Sequence, residues 1–280
     1  MNTKTSPNNF NLSQSFSWFP PFYDQATDLG LFLRQKHATS QMSDSTTKLK
    51  RGDIYVLSPG NNFSTKDLLL LVKEKDPAVV VADLSDKTII EGWYEKNIDS
   101  CNGKWRDTYF LKSLKNLSGF LASSFYFNPS SKVKISAVTG TNGKTTVVNS
   151  AAKAFASCNG ACASLGTLGL IIYKKVFGSI KEFKVMDFGL TTPSAVFLQR
   201  SLSYILTQGV KEIFVEASSI GLVKGRFLGC KIKNAVLTNI SDDHLDFHGS
   251  FEELRLSKSL LFTIPNLEKA IFVNSNETYI

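Results

Sequence analysis

The sequence predicts an α/β protein in which a small α/β unit precedes a P-loop, doubly wound, mostly parallel sheet. Three observations carry this. The apolar run 133–138 leads through Gly140-Thr141-Asn142-Gly143-Lys144-Thr145-Thr146 into a helical pattern at 147–155, which reads as strand, glycine turn, helix. Two further buried-strand runs, 213–215 and 235–239, end in polar side chains, Glu216 and Asn239, where a doubly wound sheet gathers its ligands. Upstream, the continuous β-branched run 78–82 follows a helical segment at 68–72. The glycine turn aims backbone N–H groups and the positive end of a helix dipole into one concavity, which suits a polyphosphate. Lys144 would place a point charge on the β/γ-phosphates, and the Thr145 hydroxyl would hold Mg²⁺. The spacing is a compact variant, because Val138 stands where the general loop has its first glycine.

Bulk properties set the outer limits. A chain of 280 residues with 42% hydrophobic composition can bury two cores. The formal charge of +8 favours anionic partners. No basic, aromatic-interleaved RNA-binding pattern accompanies that charge, so nucleic acid is not expected. Cys101, Cys158, Cys162 and Cys230 lack zinc spacing and read as reduced structural thiols of a cytoplasmic chain. No run reaches the roughly 18 apolar residues of a membrane span, and no export signal is read.

In chain order, residues 1–40 read as a partly disordered lead-in with a helix at 26–35. Residues 41–130 form the first domain: a polar loop before a strand at 54–57, then the helix and strand already described. Residues 83–106 have no firm periodicity, and 111–125 repeat apolar residues at helical spacing. Asn128-Pro129-Ser130-Ser131 marks the boundary, and 131–280 form the second domain. After the loop helix, Asn159-Gly160 is a C-cap and 161–166 a strand. Residues 174–188 read as a basic surface excursion. Pro193 is placed as the first residue of a helix running to Gln208 with Gly209 as its C-cap, and Thr191 and Thr192 stand at its N-terminus. An amphipathic helix at 251–262 and a strand at 269–273 close the chain.

The string TGTNGKTT resembles the ATP loop of the Mur ligases, the ATP-dependent amide-forming enzymes of peptidoglycan precursor synthesis. A second string agrees: Thr238-Asn239 followed by Asp243-His244-Leu245-Asp246 and His248-Gly249 resembles that family's TN-x-x-x-DHLD-x-HG signature. Within the family the chain is most similar to the tripeptide-forming branch. The resemblance makes the first domain a UDP-muramoyl-binding domain and the second the ATP-binding domain, with ATP and Mg²⁺ as cofactors. It assigns Gly140, Thr141, Asn142, Gly143, Lys144, Thr145, Thr146 and Asn239 to ATP, and Thr145, Glu216, His244 and Lys258 to metal. Lys258 would be carbamylated, because a bare ammonium cannot bind Mg²⁺. Lys144, His244 and Lys258 would be the catalytic set. Ser43, Ser45, Thr191, Thr192, Ser218 and Arg226 would hold UDP-N-acetylmuramoyl dipeptide, to which a diamino acid, diaminopimelate or lysine, is added through an acyl phosphate.

The sequence departs from the family at Thr46, where an arginine is usual, at Ile220, where a histidine is usual, and at Lys224, where some members have glutamine. The chain also ends before the family's third domain, and whether a separate polypeptide carries that domain stays open. Two alternatives stay open: a fragment that binds nucleotide or UDP-sugar without ligating, and another Mur-type ligase of the folyl-polyglutamate kind.

Overall fold

The computed structural model describes residues 16–59, 63–97 and 107–273, and these build two α/β layers. The first contains α1 (Tyr23–Lys36), β1 (Met42–Ser43), β2 (Ile54–Val56), α2 (Thr65–Lys73), β3 (Val79–Asp83), α3 (Lys87–Asn97), β4 (Thr108–Leu111) and α4 (Leu114–Phe125). Its strands pair in parallel in the order β1-β2-β3-β4. Parallel pairing demands cover on both faces. Leu33 of α1 and Leu117, Leu121 and Phe125 of α4 pack on Val79 and Val81, whereas Leu69 and Val72 of α2 and Ile90 and Trp93 of α3 pack on Val80 and Ala82. Alternate residues of one β-branched strand thus serve opposite cores.

The second layer runs β5 (Lys134–Thr139), α5 (Lys144–Asn159), β6 (Ala161–Gly166), β7 (Gly169–Val176), β8 (Ser179–Met186), α6 (Ala195–Thr207), β9 (Glu212–Glu216), α7 (Ser219–Val223), β10 (Asn234–Leu237), α8 (Leu245–His248), α9 (Phe251–Ser259) and β11 (Lys269–Phe272). The sheet order is β11-β10-β5-β9-β6-β7-β8, parallel from β11 to β6 and antiparallel beyond. The chain moves outward from β5 on one side and later crosses back to place β10 on the other. The carboxyl ends of β5, β9 and β10 therefore meet at the reversal point, the position where such sheets bind ligands.

The predicted α/β class and the mostly parallel second sheet agree with this architecture, but several elements differ from expectation. Residues 174–188 are mostly one arm of an antiparallel hairpin, β7–β8, turned at Phe177 (φ 48°) and Gly178 (φ 81°). The unassigned stretch after residue 83 contains α3, while Cys101 and residues 98–106 lie outside the described residues. Pro193 precedes its helix: Ser194 is the N-cap, its hydroxyl accepting from Phe197 N. The end of the lead-in is packed, with Trp18 against both cores and its Nε1 donating to Thr263 Oγ1 at 3.0 Å. Burial raises the Cys162 and Cys230 thiols to about 12, in keeping with structural roles. Among the described residues no helix is long and apolar enough to cross a membrane.

Candidate active site

The glycine loop leaves β5 at Gly140, whose φ of 143° and close neighbours exclude a side chain: a Cβ there would lie 2.0 Å from Thr238 Oγ1. Gly143 (φ 83°) caps α5 without any side-chain bond, so the first-turn N–H groups are not taken by a capping side chain. The strand after β10 braces the loop. Asn239 accepts from Asn142 N at 2.9 Å and donates to Asn142 O at 3.0 Å, while Thr238 Oγ1 donates to the same carbonyl at 2.7 Å. Thr141 Oγ1 donates to Ser241 O at 2.9 Å and accepts from Ser241 N at 3.0 Å. Asn239, expected at the nucleotide, is thus engaged with the loop backbone. Lys144 Nζ donates to Gly140 O (2.7 Å) and Thr141 O (2.8 Å), and burial lowers its pKa against the opposing pull of Glu216 and Asp243.

Glu216 ends β9 fully buried. Its carboxylate accepts from Thr145 Oγ1 at 2.9 Å, from Thr167 N at 2.8 Å and from Thr167 Oγ1 at 3.3 Å. Gly166 makes room, since a Cβ there would fall 2.0 Å from Glu216 Oε1. Thr167 is a site residue that the sequence reading passed over. The available signal was its place in the turn closing β6, next to the end of β9. Residues 141–146, Thr167, Thr191 and Glu216 line a cleft of about 240 Å³.

Of the two threonines expected at the substrate, Thr191 lines this cleft, but Thr192 is buried with its hydroxyl donating to Glu216 O at 2.8 Å and accepting from Ser218 N at 3.0 Å. Ser218 in turn caps α7, accepting from Gly221 N at 3.1 Å. Both side chains are therefore held in backbone contacts. Arg226 donates to the Thr192 carbonyl.

Lys258, on α9, is 2% exposed, and its ammonium makes no hydrogen bond or ion pair among the described residues. Burial, and secondarily Lys144, pushes it down to about 8, with Asp243 opposing. His244 stands at φ 49° before α8, half exposed, with Nε2 3.7 Å from Asp243 Oδ2. His248 is the more integrated histidine: Nδ1 lies 3.1 Å from Ser257 Oγ and Nε2 3.0 Å from Ser219 Oγ, joining α7 to α9. Burial lowers its pKa. Of the expected metal set, the structure brings Thr145 and Glu216 into contact. Among the described residues no three His, Cys, Asp or Glu side chains form a metal-holding group.

The first layer contributes the loop after β1. Ser43 is buried, and its hydroxyl closes a turn by donating to Ser45 O (3.1 Å) and accepting from Ser45 N (3.2 Å). Ser45 Oγ sits 2.9 Å from Thr47 Oγ1. The residue between them reaches across: Asp44 accepts from Ser194 Oγ at 2.9 Å, and burial raises its pKa against the Ser194 bond and Arg226. Lys48 joins the same junction, its ammonium 4.6 Å from the Phe188 ring centroid and bonded to the Asp187 carbonyl. Of the departures, Lys224 places its ammonium 5.7 Å over Phe247.

A glycine-loop strand and helix at the reversal point of a doubly wound sheet, with a buried acidic residue on the loop threonine, define a protein of the P-loop α/β fold. The chain belongs to the Mur ligase family, whose middle domain matches residues 138–280. It is similar to a UDP-N-acetylmuramoyl-L-alanyl-D-glutamate–2,6-diaminopimelate ligase of Janthinobacterium sp. (strain Marseille), 30% identical over 232 residues, which covers 83% of this chain and 43% of that protein. The enzyme of the same name from Chlamydia muridarum is 40% identical over 170 residues, 60% of this chain and 33% of its own length. The chain thus spans less than half the length of either relative. A solved structure of a ligase of this name shares the fold at a TM-score of 0.58 and 24% identity, covering 83% of this chain and 42% of that one.

Proposed function

We propose that this chain carries the nucleotide and UDP-sugar-peptide sites of a cytoplasmic, ATP-dependent amide ligase of peptidoglycan precursor synthesis. The ligase would add diaminopimelate or lysine to UDP-N-acetylmuramoyl-L-alanyl-D-glutamate. One observation carries the reading: Lys144 and Thr145 share a cleft with Glu216, and Thr145 is bonded to that buried carboxylate at 2.9 Å. A hydroxyl and a carboxylate on one cleft are the oxygen donors that Mg²⁺ prefers, and when bound the ion would neutralise charge on the β- and γ-phosphates. The α5 N-terminus would receive phosphate oxygens, and Lys144 would exchange its two carbonyl partners for them. The substrate's glutamyl carboxylate attacks the γ-phosphorus and ADP leaves, giving an acyl phosphate. The diamino acid's amine then attacks the acyl carbon and phosphate departs. Arg226 and the turn at Ser43 and Ser45 would position the sugar peptide, with Thr191 at the cleft.

Lys258 fits carbamylation. A lysine near 8 has a usable fraction of neutral amine at physiological pH. Its nitrogen adds to the carbon of CO₂ and loses a proton, which turns a buried, unpaired cation into a carboxylate-like metal ligand. His244 would complete that second ion's sphere.

A second reading, binding without ligation, is favoured by Ile220, which puts a side chain unable to hold metal or substrate oxygen where the family has histidine. Calorimetric titration of Mg·ATP into wild type and Lys144→Ala tests the loop, and equal heats would sink the assignment. Phosphate release stimulated by the UDP-muramoyl dipeptide and lost in Lys144→Ala separates ligase from binder.

A further inference from the structure

A larger cavity lies away from the loop, between the end of α1, the C-terminus of α4 and the exposed face of α6. Its volume is about 490 Å³, within the usual range for small-molecule sites, and it shares no lining residue with the loop cleft. Arg34 and Arg200 both line it, and no aspartate or glutamate does. Each guanidinium lies over an aromatic ring. The Arg34 Cζ stands 5.3 Å from the Phe125 centroid and 5.6 Å from that of Phe127, and the Arg200 Cζ 5.8 Å from Phe197. Stacking holds the plane of a guanidinium but leaves its in-plane N–H donors free. Neither arginine spends those donors on another described residue.

The cavity wall is also pre-arranged. Tyr126, almost fully buried, accepts from Met42 N at 2.9 Å and donates to Gln41 Oε1 at 3.3 Å. This leaves the Gln41 carboxamide N–H groups uncommitted among the described residues. Burial raises the Tyr126 phenol to about 12, and both arginines oppose that rise, so the two charges act on one point. Val185 and Met186, both partly exposed, supply an apolar side. Asp53, the anion that also acts on the Tyr126 phenol, accepts from Gln41 N and Lys50 N and does not line the cavity, so the two half-buried cations have no anionic partner within it.

We propose that this cavity binds a small organic phosphate, its phosphoryl oxygens taken by Arg34 and Arg200 and its apolar part lying on Val185 and Met186. A phosphate monoester carries about −1.5 to −2 charges at neutral pH, which matches the two guanidinium groups. Binding there would tie α1 and α4 of the first layer to α6 of the second.

The test uses phenyl phosphate and the whole chain. Titration is performed on Lys144→Ala, which silences the loop, and on Lys144→Ala combined with Arg34→Gln or Arg200→Gln. Phenyl phosphate is expected to bind Lys144→Ala, more tightly than inorganic phosphate does, and to lose about tenfold or more in affinity with either arginine substitution. Binding abolished by Lys144→Ala alone, or indifferent to both arginines, overturns the proposal. Should the arginine variants fail to fold, crystals of Lys144→Ala soaked with 4-bromophenyl phosphate decide. An anomalous bromine peak between Arg34 and Arg200 supports the site, and no peak in that cavity overturns it.

Discussion

Replacing Lys258 with methionine should stabilise the protein at pH 7. The side chain is 2% exposed, its ammonium has no partner among the described residues, and its pKa falls from 10.5 to about 8. At about 1.36 kcal/mol per pH unit, keeping that proton in the folded state costs about 3 kcal/mol. The sign follows from proton counts. Between about 8 and 10.5 the unfolded chain holds the proton and the folded chain has released it, so wild-type stability rises with pH through that window. Below about 8 both states are protonated and the penalty is present in full. Methionine keeps the aliphatic volume and removes the charge, so the variant should gain about 1–3 kcal/mol at pH 7, with the gap closing as pH rises toward 10.5. Urea unfolding in CO₂-free buffer at a series of pH values measures this. A variant no more stable than wild type at pH 7, with a gap independent of pH, would refute a buried, unpaired ammonium.

Bicarbonate should act on the same residue, giving a lysine-dependent ¹³C carbamate signal by NMR that is absent in Lys258→Met. Gly166→Ala should destabilise the protein by about 1–3 kcal/mol and weaken Mg·ATP binding together, because its Cβ would fall 2.0 Å from Glu216 Oε1. Thermal melting and calorimetry read the two effects, and a variant that melts and binds like wild type contradicts the placement of Glu216. Ser194→Ala removes both the α6 cap and the bond to Asp44, so a loss of about 1–2 kcal/mol is expected by urea unfolding. Glu216→Gln should bind ATP with little dependence on Mg²⁺, and an undiminished Mg²⁺ effect would remove Glu216 from the metal site.

What the sequence revealed depended on how strongly backbone geometry dictates residue type. The loop was legible because Gly140 and Gly143 occupy left-handed or crowded positions and follow a strand buried from Ile135 to Thr139. The β3 and β9 runs were legible because strands buried on both faces leave few polar positions. β1, only two residues long, carries no periodicity to read, and β4 is largely half-buried. The β7–β8 hairpin was hidden by its asymmetry: five successive residues of β7 are buried, whereas β8 is mostly exposed, so neither alternates. Thr192 and Ser218 looked like ligand groups because hydroxyls at helix starts serve backbone and substrate equally well. Thr167 was missed because its shortest bond to Glu216 comes from a backbone N–H, which any residue type provides.

The two diagnostic strings are one structure. They lie about a hundred positions apart, yet Thr238 and Asn239 both bond Asn142, and Ser241 exchanges bonds with Thr141. Pairing of β10 with β5 sets that register, so the loop is held from a neighbouring strand. The bracing spends the Thr141 and Asn142 N–H groups on Asn239, at 3.0 and 2.9 Å, and leaves the uncapped amides at the start of α5 for an anion. On the proposed function, Asn239 would bear on nucleotide affinity by holding the loop's shape. Asn239→Asp illustrates the distinction: it keeps the acceptor for Asn142 N but replaces the donor to Asn142 O with a charge that repels it. That change should weaken ATP binding through a loosened loop, visible as faster amide exchange at residues 140–143 before any nucleotide is added.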